Sequence, residues 1–180
     1  MKICFIAPSL YGKSTAAGII QKHFKSQNIK IAKPLYDLQT YFYHFIEKEI
    51  GDTQDGELLQ FFGNKIRKEN STFLLDNFYQ NVLNSKNNII TNDDCRPPDY
   101  LFLKEMGFIF IKIKGFKRMR DDYVKAAEKN KLEWQCDLPY DYELDNTCTL
   151  EEYEKNILNL LKEIIENEKM LCDSDRKLYL

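Results

Sequence analysis

Short apolar runs alternate along the chain with longer stretches in which apolar residues recur every three or four positions. The runs are typical of buried strands, and the recurring pattern is typical of helices. The predicted strands cover residues 3–6, 29–32, 88–91, 108–113 and 140–144. The predicted helices cover residues 14–26, 35–49, 57–67, 72–83, 99–106, 116–130 and 149–166. Strands separated by helices predict an α/β fold, in which a parallel sheet carries helices on both faces.

Some predicted helices carry further signals in their sequence. Gly107, directly after helix 99–106, is a typical C-terminal stop, and Thr149-Leu150-Glu151-Glu152 matches the capping box that opens a helix. Helix 35–49 carries an aromatic stripe, which favours packing in the core, and contact with a partner is the alternative. The aromatic residues of this stripe are Tyr36, Tyr41, Phe42, Tyr43 and Phe45.

The chain is predicted to form a single domain. No internal repeat, Pro/Gly/Ser-rich linker or long charge block divides its 180 residues. With 43% apolar and 30% charged residues, its composition is that of a globular domain with a full core. Residues 170–180 are expected to form a loosely held, flexible tail.

Composition also bears on the compartment and on the classes of partner. No apolar stretch approaches the roughly 20 residues that cross a bilayer, and Met1-Lys2-Ile3 leads into a strand rather than a signal peptide. We therefore expect a cytoplasmic protein without a membrane partner. The net charge of −2 gives no general attraction to nucleic acid. Five well-separated cysteines without a C-x-x-C pair predict free thiols.

The stretch APSLYGKST, residues 7–15, follows the first predicted strand and opens the first helix. Its second half fits G-x-x-x-x-G-K-[ST], a loop whose backbone N–H groups surround phosphate oxygens. In such a loop Lys13 reaches the terminal phosphates of a nucleotide and Ser14 holds magnesium, next to the positive end of a helix. Ala7 replaces the consensus glycine, but alanine is the next smallest residue. The residues of this predicted ATP site are Ala7, Ser9, Tyr11, Gly12, Lys13, Ser14 and Thr15.

The stretch NDDCRPPD, residues 92–99, follows the third predicted strand. It therefore lies at the carboxyl edge of the sheet, where open α/β proteins bind ligands. Asp93 or Asp94 can hold magnesium through a water molecule or orient an attacking oxygen, and Arg96 can bind a phosphate with both arms of its guanidinium. A polar turn capped by prolines is the alternative for this stretch.

Two further stretches combine basic and amide groups. Gln60, Asn64 and Arg67 form a polar stripe along helix 57–67, which can present amides to a base and a guanidinium to a phosphate. Arg118 and Arg120 belong to a basic cluster that can close over phosphates as a lid. A solvated helix face explains either pattern equally well.

Taken in order, these stretches resemble the bacteriophage-type deoxynucleoside monophosphate kinases, within the larger group of nucleoside monophosphate kinases and dephospho-CoA kinases. APSLYGKST resembles their phosphate loop, IAKPLYDL their ADPLK segment and LLQFFGNKIR their LLQ-x-x-G-T-x-x-R helix. IITNDDCRPPDYLFLKEMGFIFIKI resembles D-V-R-F-P-N-E followed by a glycine and an apolar strand. YELDNTCTLEEY resembles I-x-N-x-G-T-L-E-E-L. The resemblance covers residues 2–165, and it rests on the order and spacing of the stretches.

The resemblance implies a three-layer P-loop NTPase fold with a central parallel sheet of about five strands. It further implies acceptor-binding helices at about residues 35–86 and a basic lid at about 114–135, with ATP as donor and Mg²⁺ as cofactor. Asn146 would pass near the donor base. The implied catalytic residues are Lys13, Asp94, Arg96, Arg118 and Arg120. The implied acceptor residues are Lys33, Gln60, Asn64, Arg67, Asp94 and Arg96.

Four departures from the family pattern fall on the acceptor side. Lys33 stands where the family has aspartate, and Tyr36 stands where it has lysine. Asn64 replaces a threonine, and Pro98-Asp99 replaces an asparagine–glutamate pair. These departures bear on the identity of the acceptor more than on the use of ATP.

The sequence therefore predicts an ATP- and magnesium-dependent kinase acting on a (deoxy)nucleoside 5′-monophosphate. One alternative is a dephospho-CoA kinase-like or other small-molecule kinase, in which Asp94 would act as a general base towards a hydroxyl. Another is a nucleotide-binding sensor or assembly protein without transfer activity, and nucleic-acid binding through residues 112–120 is a third. A homodimer remains an open option.

Overall fold

The computed structural model describes residues 1–51, 53–115 and 138–177, with side chains as far as Lys169. The predicted helix 116–130 and most of the predicted lid, including Arg118 and Arg120, lie outside the described residues. Within those ranges, no helix combines the length and hydropathy that a membrane span requires.

Five parallel strands form one sheet in the order β2-β3-β1-β4-β5. The strands are β1 (Lys2–Ile6), β2 (Ser26–Asn28), β3 (Ile89–Asn92), β4 (Ile109–Gly115) and β5 (Tyr142–Asn146). Because the strands are parallel, their carboxyl ends lie along one edge of the sheet, and the loops after β1, β2 and β3 meet there. The predicted parallel sheet of about five strands is confirmed.

Helices follow the strands and cover both faces of the sheet. They are α1 (Lys13–His23), α2 (Lys33–Phe45), α3 (Gly56–Glu69), α4 (Phe73–Asn84), α5 (Tyr100–Glu105) and α6 (Leu150–Lys177), with a short 3₁₀ turn at Pro97–Asp99. α6 continues past the predicted end at residue 166, so that residues 170–177, expected to belong to a loose tail, are helical.

The two faces of the sheet carry separate apolar clusters. Ile3 and Phe5 of β1 pack with α1 and α6, whereas Cys4 and Ile6 pack with α2, α4 and α5. This division follows from the alternation of side chains along a strand. The result is the three-layer arrangement that the sequence predicted.

The second strand lies earlier than predicted. β2 covers Ser26–Asn28 rather than residues 29–32, although the N–H of Ile29 still donates to the carbonyl oxygen of Thr91 at 2.8 Å. The chain then leaves the sheet, because the N–H groups of Ile31 and Ala32 donate to the carboxylate of Asp94. Ile29 and Ile31 remain buried, so the apolar pattern records burial in the core rather than pairing in the sheet.

The prediction that the aromatic stripe of helix 35–49 packs in the core is wrong for its outer members. Tyr41 and Phe45 are 67% and 74% exposed. The buried residues of α2 are instead Leu35 and Gln39. The helix therefore buries only a narrow face, with Tyr41, Phe42 and Phe45 exposed and Tyr36 and Tyr43 half-buried.

Candidate active site

The phosphate loop, residues 7–12, joins β1 to α1 through two residues with left-handed backbone. Leu10 has a φ of +70° and Gly12 a φ of +96°. Gly12 is the N-cap of α1 and provides no capping side chain, so the first-turn N–H groups of the helix remain available to an anion. Among the described non-glycine residues only Leu10 and Glu47 have a positive φ. Ala7 therefore adopts a conformation that does not require glycine.

Lys13 lies inside the curve of this loop. Its ammonium donates to the carbonyl oxygens of Ala7 at 2.6 Å and Pro8 at 2.9 Å. The side chain thus folds back over the loop from the first turn of α1. The charge required for binding nucleotide phosphates lies where the motif predicted it.

Ser14 and Asp93 bring the loop into contact with the end of β3. The Ser14 hydroxyl donates to Oδ2 of Asp93 at 2.6 Å, and the Asp93 side chain is only 1% exposed. Oδ1 of Asp93 is buried without a hydrogen bond. A loop hydroxyl and a carboxylate from the neighbouring strand are the magnesium ligands of P-loop NTPases, so these two residues fit that ion.

The described residues of this region do not form a complete set of metal ligands by themselves. Within the described ranges, no group of three or more His, Cys, Asp and Glu side chains is placed to hold a metal. This agrees with the chemistry of Mg²⁺, which in nucleotide sites takes one or two protein ligands together with phosphate oxygens and water.

Asp94, the second carboxylate of the stretch, is engaged in holding the backbone. It accepts from the N–H of Ile31 at 3.0 Å and of Ala32 at 2.9 Å, and from the amide of Asn92 at 2.7 Å. Burial raises the pKa of Asp94, and these hydrogen bonds oppose the shift. Asp94 therefore positions the start of α2 against β3, while Asp93 is the carboxylate beside Ser14.

The charges of Arg67 and Arg96 both act on the carboxylate of Asp99. The N–H of Arg96 donates to Oδ2 of Asp99 at 3.2 Å, and the N–H of Asp99 donates to the Arg96 carbonyl oxygen at 2.8 Å. Burial raises the pKa of Asp99, opposed by the hydrogen bond from the Arg96 backbone and by the charges of Arg67 and Arg96. The structure thus places a guanidinium from α3 and one from the loop after β3 near one buried carboxylate.

Lys30 belongs to the site, although the sequence analysis did not identify it. Its ammonium lies 3.3 Å from Oδ1 of Asp93 and 5.7 Å from the centroid of the Tyr36 ring. Burial acts to lower the pKa of Lys30, but Asp93, Tyr36 and Asp94 together outweigh burial and the pKa is raised. The sequence feature that could have identified Lys30 is its position between two isoleucines, in the segment that follows β2.

Other predicted acceptor residues lie apart from this cluster. Lys33 is exposed and pairs with Asp37 along the outer side of α2. It lines a groove of about 760 Å³ between α2, α3 and α4, together with Leu38, Lys65 and Phe73. Gln60 and Asn64 on α3 are exposed, as are two residues of the predicted ATP site, Ser9 in the phosphate loop and Thr15 in α1.

Asn146, expected near the donor base, contacts the phosphate loop itself. Its amide nitrogen donates to the carbonyl oxygen of Tyr11 at 2.9 Å, and its amide oxygen is buried without a hydrogen bond. The Tyr153 hydroxyl donates to the Gly12 carbonyl oxygen at 3.3 Å. β5 and α6 therefore hold the loop from the side opposite Asp93.

Comparison with known proteins shows a likeness of fold. No protein-family model and no curated protein matches the chain. Among solved structures, TT1252 from Thermus thermophilus matches with a TM-score of 0.51 at 16% identity, over 91% of this chain and 97% of that one. A shikimate kinase from Aquifex aeolicus matches with a TM-score of 0.48 at 14% identity, over 92% and 98% of the two chains. A dephospho-CoA kinase from Campylobacter jejuni matches with a TM-score of 0.46 at 18% identity, over 93% and 100%.

The chain has the P-loop NTPase fold: a parallel sheet flanked by helices, with the phosphate loop between its central strand β1 and α1. At 16% identity, the similarity to TT1252 supports the fold and does not single out one family. The resemblance to the deoxynucleoside monophosphate kinases therefore supports a proposed function rather than membership of that family.

Proposed function

We propose that the protein is an ATP- and magnesium-dependent kinase that transfers the γ-phosphoryl group to a nucleoside or deoxynucleoside 5′-monophosphate. The observation that carries this proposal is the hydrogen bond between Ser14 and Asp93, residues 79 positions apart in the sequence. It joins the phosphate loop to the carboxylate at the end of the adjacent strand. That pairing supports a magnesium–nucleotide site rather than a chance match to a motif.

The donor side of the site would bind ATP through the backbone of residues 7–12, the first turn of α1 and the ammonium of Lys13. Ser14 and Asp93 would hold Mg²⁺, which when bound neutralises charge on the phosphate oxygens. Asn146 and Tyr153 keep the loop in place through Tyr11 and Gly12. The protein's contribution on this side is positioning and fixed charge.

The acceptor side lies towards β2 and the helices α2 to α4, which follow β2 in the chain. Arg67 and Arg96 supply guanidinium groups there, and a guanidinium can bind a phosphate through two parallel hydrogen bonds. Asp99 offsets part of their charge. A phosphate acceptor suits this arrangement, because its attacking oxygen is already ionised and needs no general base.

A kinase acting on a hydroxyl is the alternative that the geometry favours less. Such a reaction requires a carboxylate that is able to take a proton. Asp94 already accepts hydrogen bonds from Ile31, Ala32 and Asn92. Asp93 is engaged with Ser14 and Lys30. Both carboxylates are thus committed to other partners.

The test is ADP release from ATP and magnesium against a panel of ribo- and deoxyribonucleoside monophosphates and dephospho-CoA. We expect at least one monophosphate to stimulate release, and Lys13→Ala to abolish the stimulation. Lys22→Ala is the matched control, because Lys22 lies on the same helix and pairs with Glu154 at the surface. Stimulation by dephospho-CoA alone would support the hydroxyl alternative. If no compound of the panel stimulates ADP release although ATP binds, the result would support a nucleotide-binding sensor without transfer activity.

A further inference from the structure

Lys30 lies between the donor and acceptor sides of the candidate active site. Its ammonium is 3.3 Å from Oδ1 of Asp93, whose other oxygen accepts from the Ser14 hydroxyl. On the other side, the ring of Tyr36 from α2 lies 5.7 Å from the same ammonium. Lys30 therefore connects the magnesium-binding pair with the first turn of the acceptor helices.

The ammonium of Lys30 has more N–H donors than its contact with Asp93 can use. An ammonium carries three N–H donors, and Oδ1 of Asp93 has no hydrogen bond despite the proximity of Lys30. The Lys30 side chain is 31% exposed, so the group faces solvent as well as the carboxylate. Among the described residues, Asp93 is its ion-pair partner. An incoming anion can thus reach Lys30 without displacing a network of hydrogen bonds.

Charges from both loops act on the hydroxyl of Tyr36. Burial raises its pKa and the carboxylates of Asp94 and Asp93 add to the shift, whereas Lys30 and Arg96 act in the opposite direction. The ring thus lies within the electrostatic reach of cations from two different loops, one after β2 and one after β3. The neutral phenol contributes a polar surface between them without adding negative charge.

We propose that Lys30 binds the phosphate group of the acceptor, together with Arg96 and next to the ring of Tyr36. This inference rests on the proposed function, because it assigns a residue to the acceptor of that reaction. In this role Lys30 takes the place of Lys33, which the family resemblance implied and which pairs with Asp37 on the outer side of α2. An ammonium beside Asp93 would hold the acceptor phosphate close to the magnesium-binding pair.

The experiment measures acceptor binding separately from transfer. The protein is saturated with magnesium and a non-hydrolysable ATP analogue, so that the phosphate loop is filled, and is then titrated calorimetrically with single nucleoside monophosphates and with inorganic phosphate. We expect Lys30→Met to weaken binding at least about tenfold, as loss of a charge-assisted hydrogen bond implies. Lys30→Arg should restore the affinity to within about threefold. Thermal unfolding of each variant reports whether the fold is intact, and Lys30→Gln replaces Lys30→Met if the latter does not fold.

Lys65→Met is the matched control for charge. Lys65 also forms an ion pair with a carboxylate, Glu69, but lies exposed on α3. Its substitution should leave binding of both probes unchanged. A loss as large in Lys65→Met as in Lys30→Met would overturn the inference, since the effect would then be one of overall charge.

The remaining outcomes separate this inference from the proposed function. If Lys30→Met binds the monophosphates as the wild type does, the role of Lys30 is refuted while the kinase proposal stands. If the wild type binds inorganic phosphate through Lys30 but binds no monophosphate, the phosphate site stands and the proposed acceptor is wrong. If the wild type binds neither probe, both are wrong.

Discussion

Gly12 and Asn146 fit together so closely that position 12 has no room for a side chain while Asn146 keeps its place. Gly12 has a φ of +96°, and a Cβ atom at this position would lie 2.4 Å from the amide nitrogen of Asn146. The left-handed backbone disfavours any side chain, and the short distance adds a steric clash. The loop can therefore keep its shape only with glycine at position 12 while Asn146 occupies its present place.

Gly12→Ala is expected to weaken binding of an ATP analogue at least about tenfold, because the left-handed strain alone costs roughly 1–2 kcal/mol. Asn146→Ala removes the clash but also the hydrogen bond to Tyr11. The two changes should thus couple by about 0.5 kcal/mol or more, so that the double variant loses less than the sum. Equilibrium binding of the analogue to the three variants provides the double-mutant cycle.

Gly18→Ala is the control for this cycle, because Gly18 lies in the same helix with no atom within 4 Å of an added Cβ. It should leave nucleotide affinity unchanged and stabilise the protein by about 0.5–1 kcal/mol. Strictly additive losses in the double variant would show that Gly12 and Asn146 act independently.

At the same scale, the residues of the phosphate loop could be predicted because a local motif carries them. The sequence could not predict which of the two carboxylates, Asp93 or Asp94, lies beside Ser14. The two carboxylates are adjacent in the sequence, and what separates them is the capture of Asp94 by the N–H groups of Ile31 and Ala32. These hydrogen bonds join residues 63 and 62 positions apart in the sequence, and no spacing rule predicts them.

At the scale of the elements, the sequence around Thr149 determines where α6 begins. The N–H of Glu152 donates to the Thr149 hydroxyl at 3.2 Å, and the N–H of Thr149 donates to the Glu152 carboxylate at 3.0 Å. The predicted capping box is therefore present. It begins the helix that carries Tyr153 to the carbonyl oxygen of Gly12.

Thr149→Ala is expected to lower the free energy of unfolding by about 1 kcal/mol at pH 7, the usual effect of losing an N-cap hydroxyl. The hydrogen bonds from Thr149 lower the pKa of Glu152. A carboxyl group with a lowered pKa stabilises the fold above its unfolded-state pKa, and this contribution is lost as the pH falls through the folded-state value. The difference between wild type and variant should therefore shrink in acid.

Urea unfolding at pH 7 and at about pH 3 measures this difference. Thr40→Ala is the control, because Thr40 lies inside α2 and its hydroxyl donates to the Tyr36 carbonyl oxygen. An interior threonine lowers helix stability slightly relative to alanine, so this variant should be neutral or slightly more stable. A pH-independent loss in Thr149→Ala would contradict the role of Glu152.

The elements near β2 show what periodicity cannot predict. Ile29 and Ile31 are buried as a strand pattern requires, yet β2 ends at Asn28, and Asp94 takes the N–H groups of Ile31 and Ala32. In α2 the sequence favoured burial of the aromatic residues, but Tyr41 and Phe45 are exposed. An apolar pattern indicates which side chains can be buried, and long-range packing decides which are.

For the whole molecule, the order of the strands determines how the site is divided. β1 lies at the centre of the sheet, with β3 and then β2 on one side and β4 and β5 on the other. Asp93 and Lys30 accordingly approach the phosphate loop from the side of β3 and β2, and Asn146 from the side of β5. Alternating elements predicted the parallel sheet, but the side from which each loop approaches depends on the strand order.

If the proposed function is right, nucleotide binding depends on loops from both sides of the sheet, and thermal unfolding should report it. ATP with magnesium at about 100 times its dissociation constant should stabilise the protein by about 2.7 kcal/mol. For a chain of this size that corresponds to a rise in Tm of about 5–10 °C. Removing magnesium with EDTA, or replacing Asp93 by Asn, should lose part of the rise, because Ser14 and Asp93 then hold no ion. Lys13→Ala should lose most of it and Lys22→Ala none, and an equal rise in EDTA would exclude magnesium from the site.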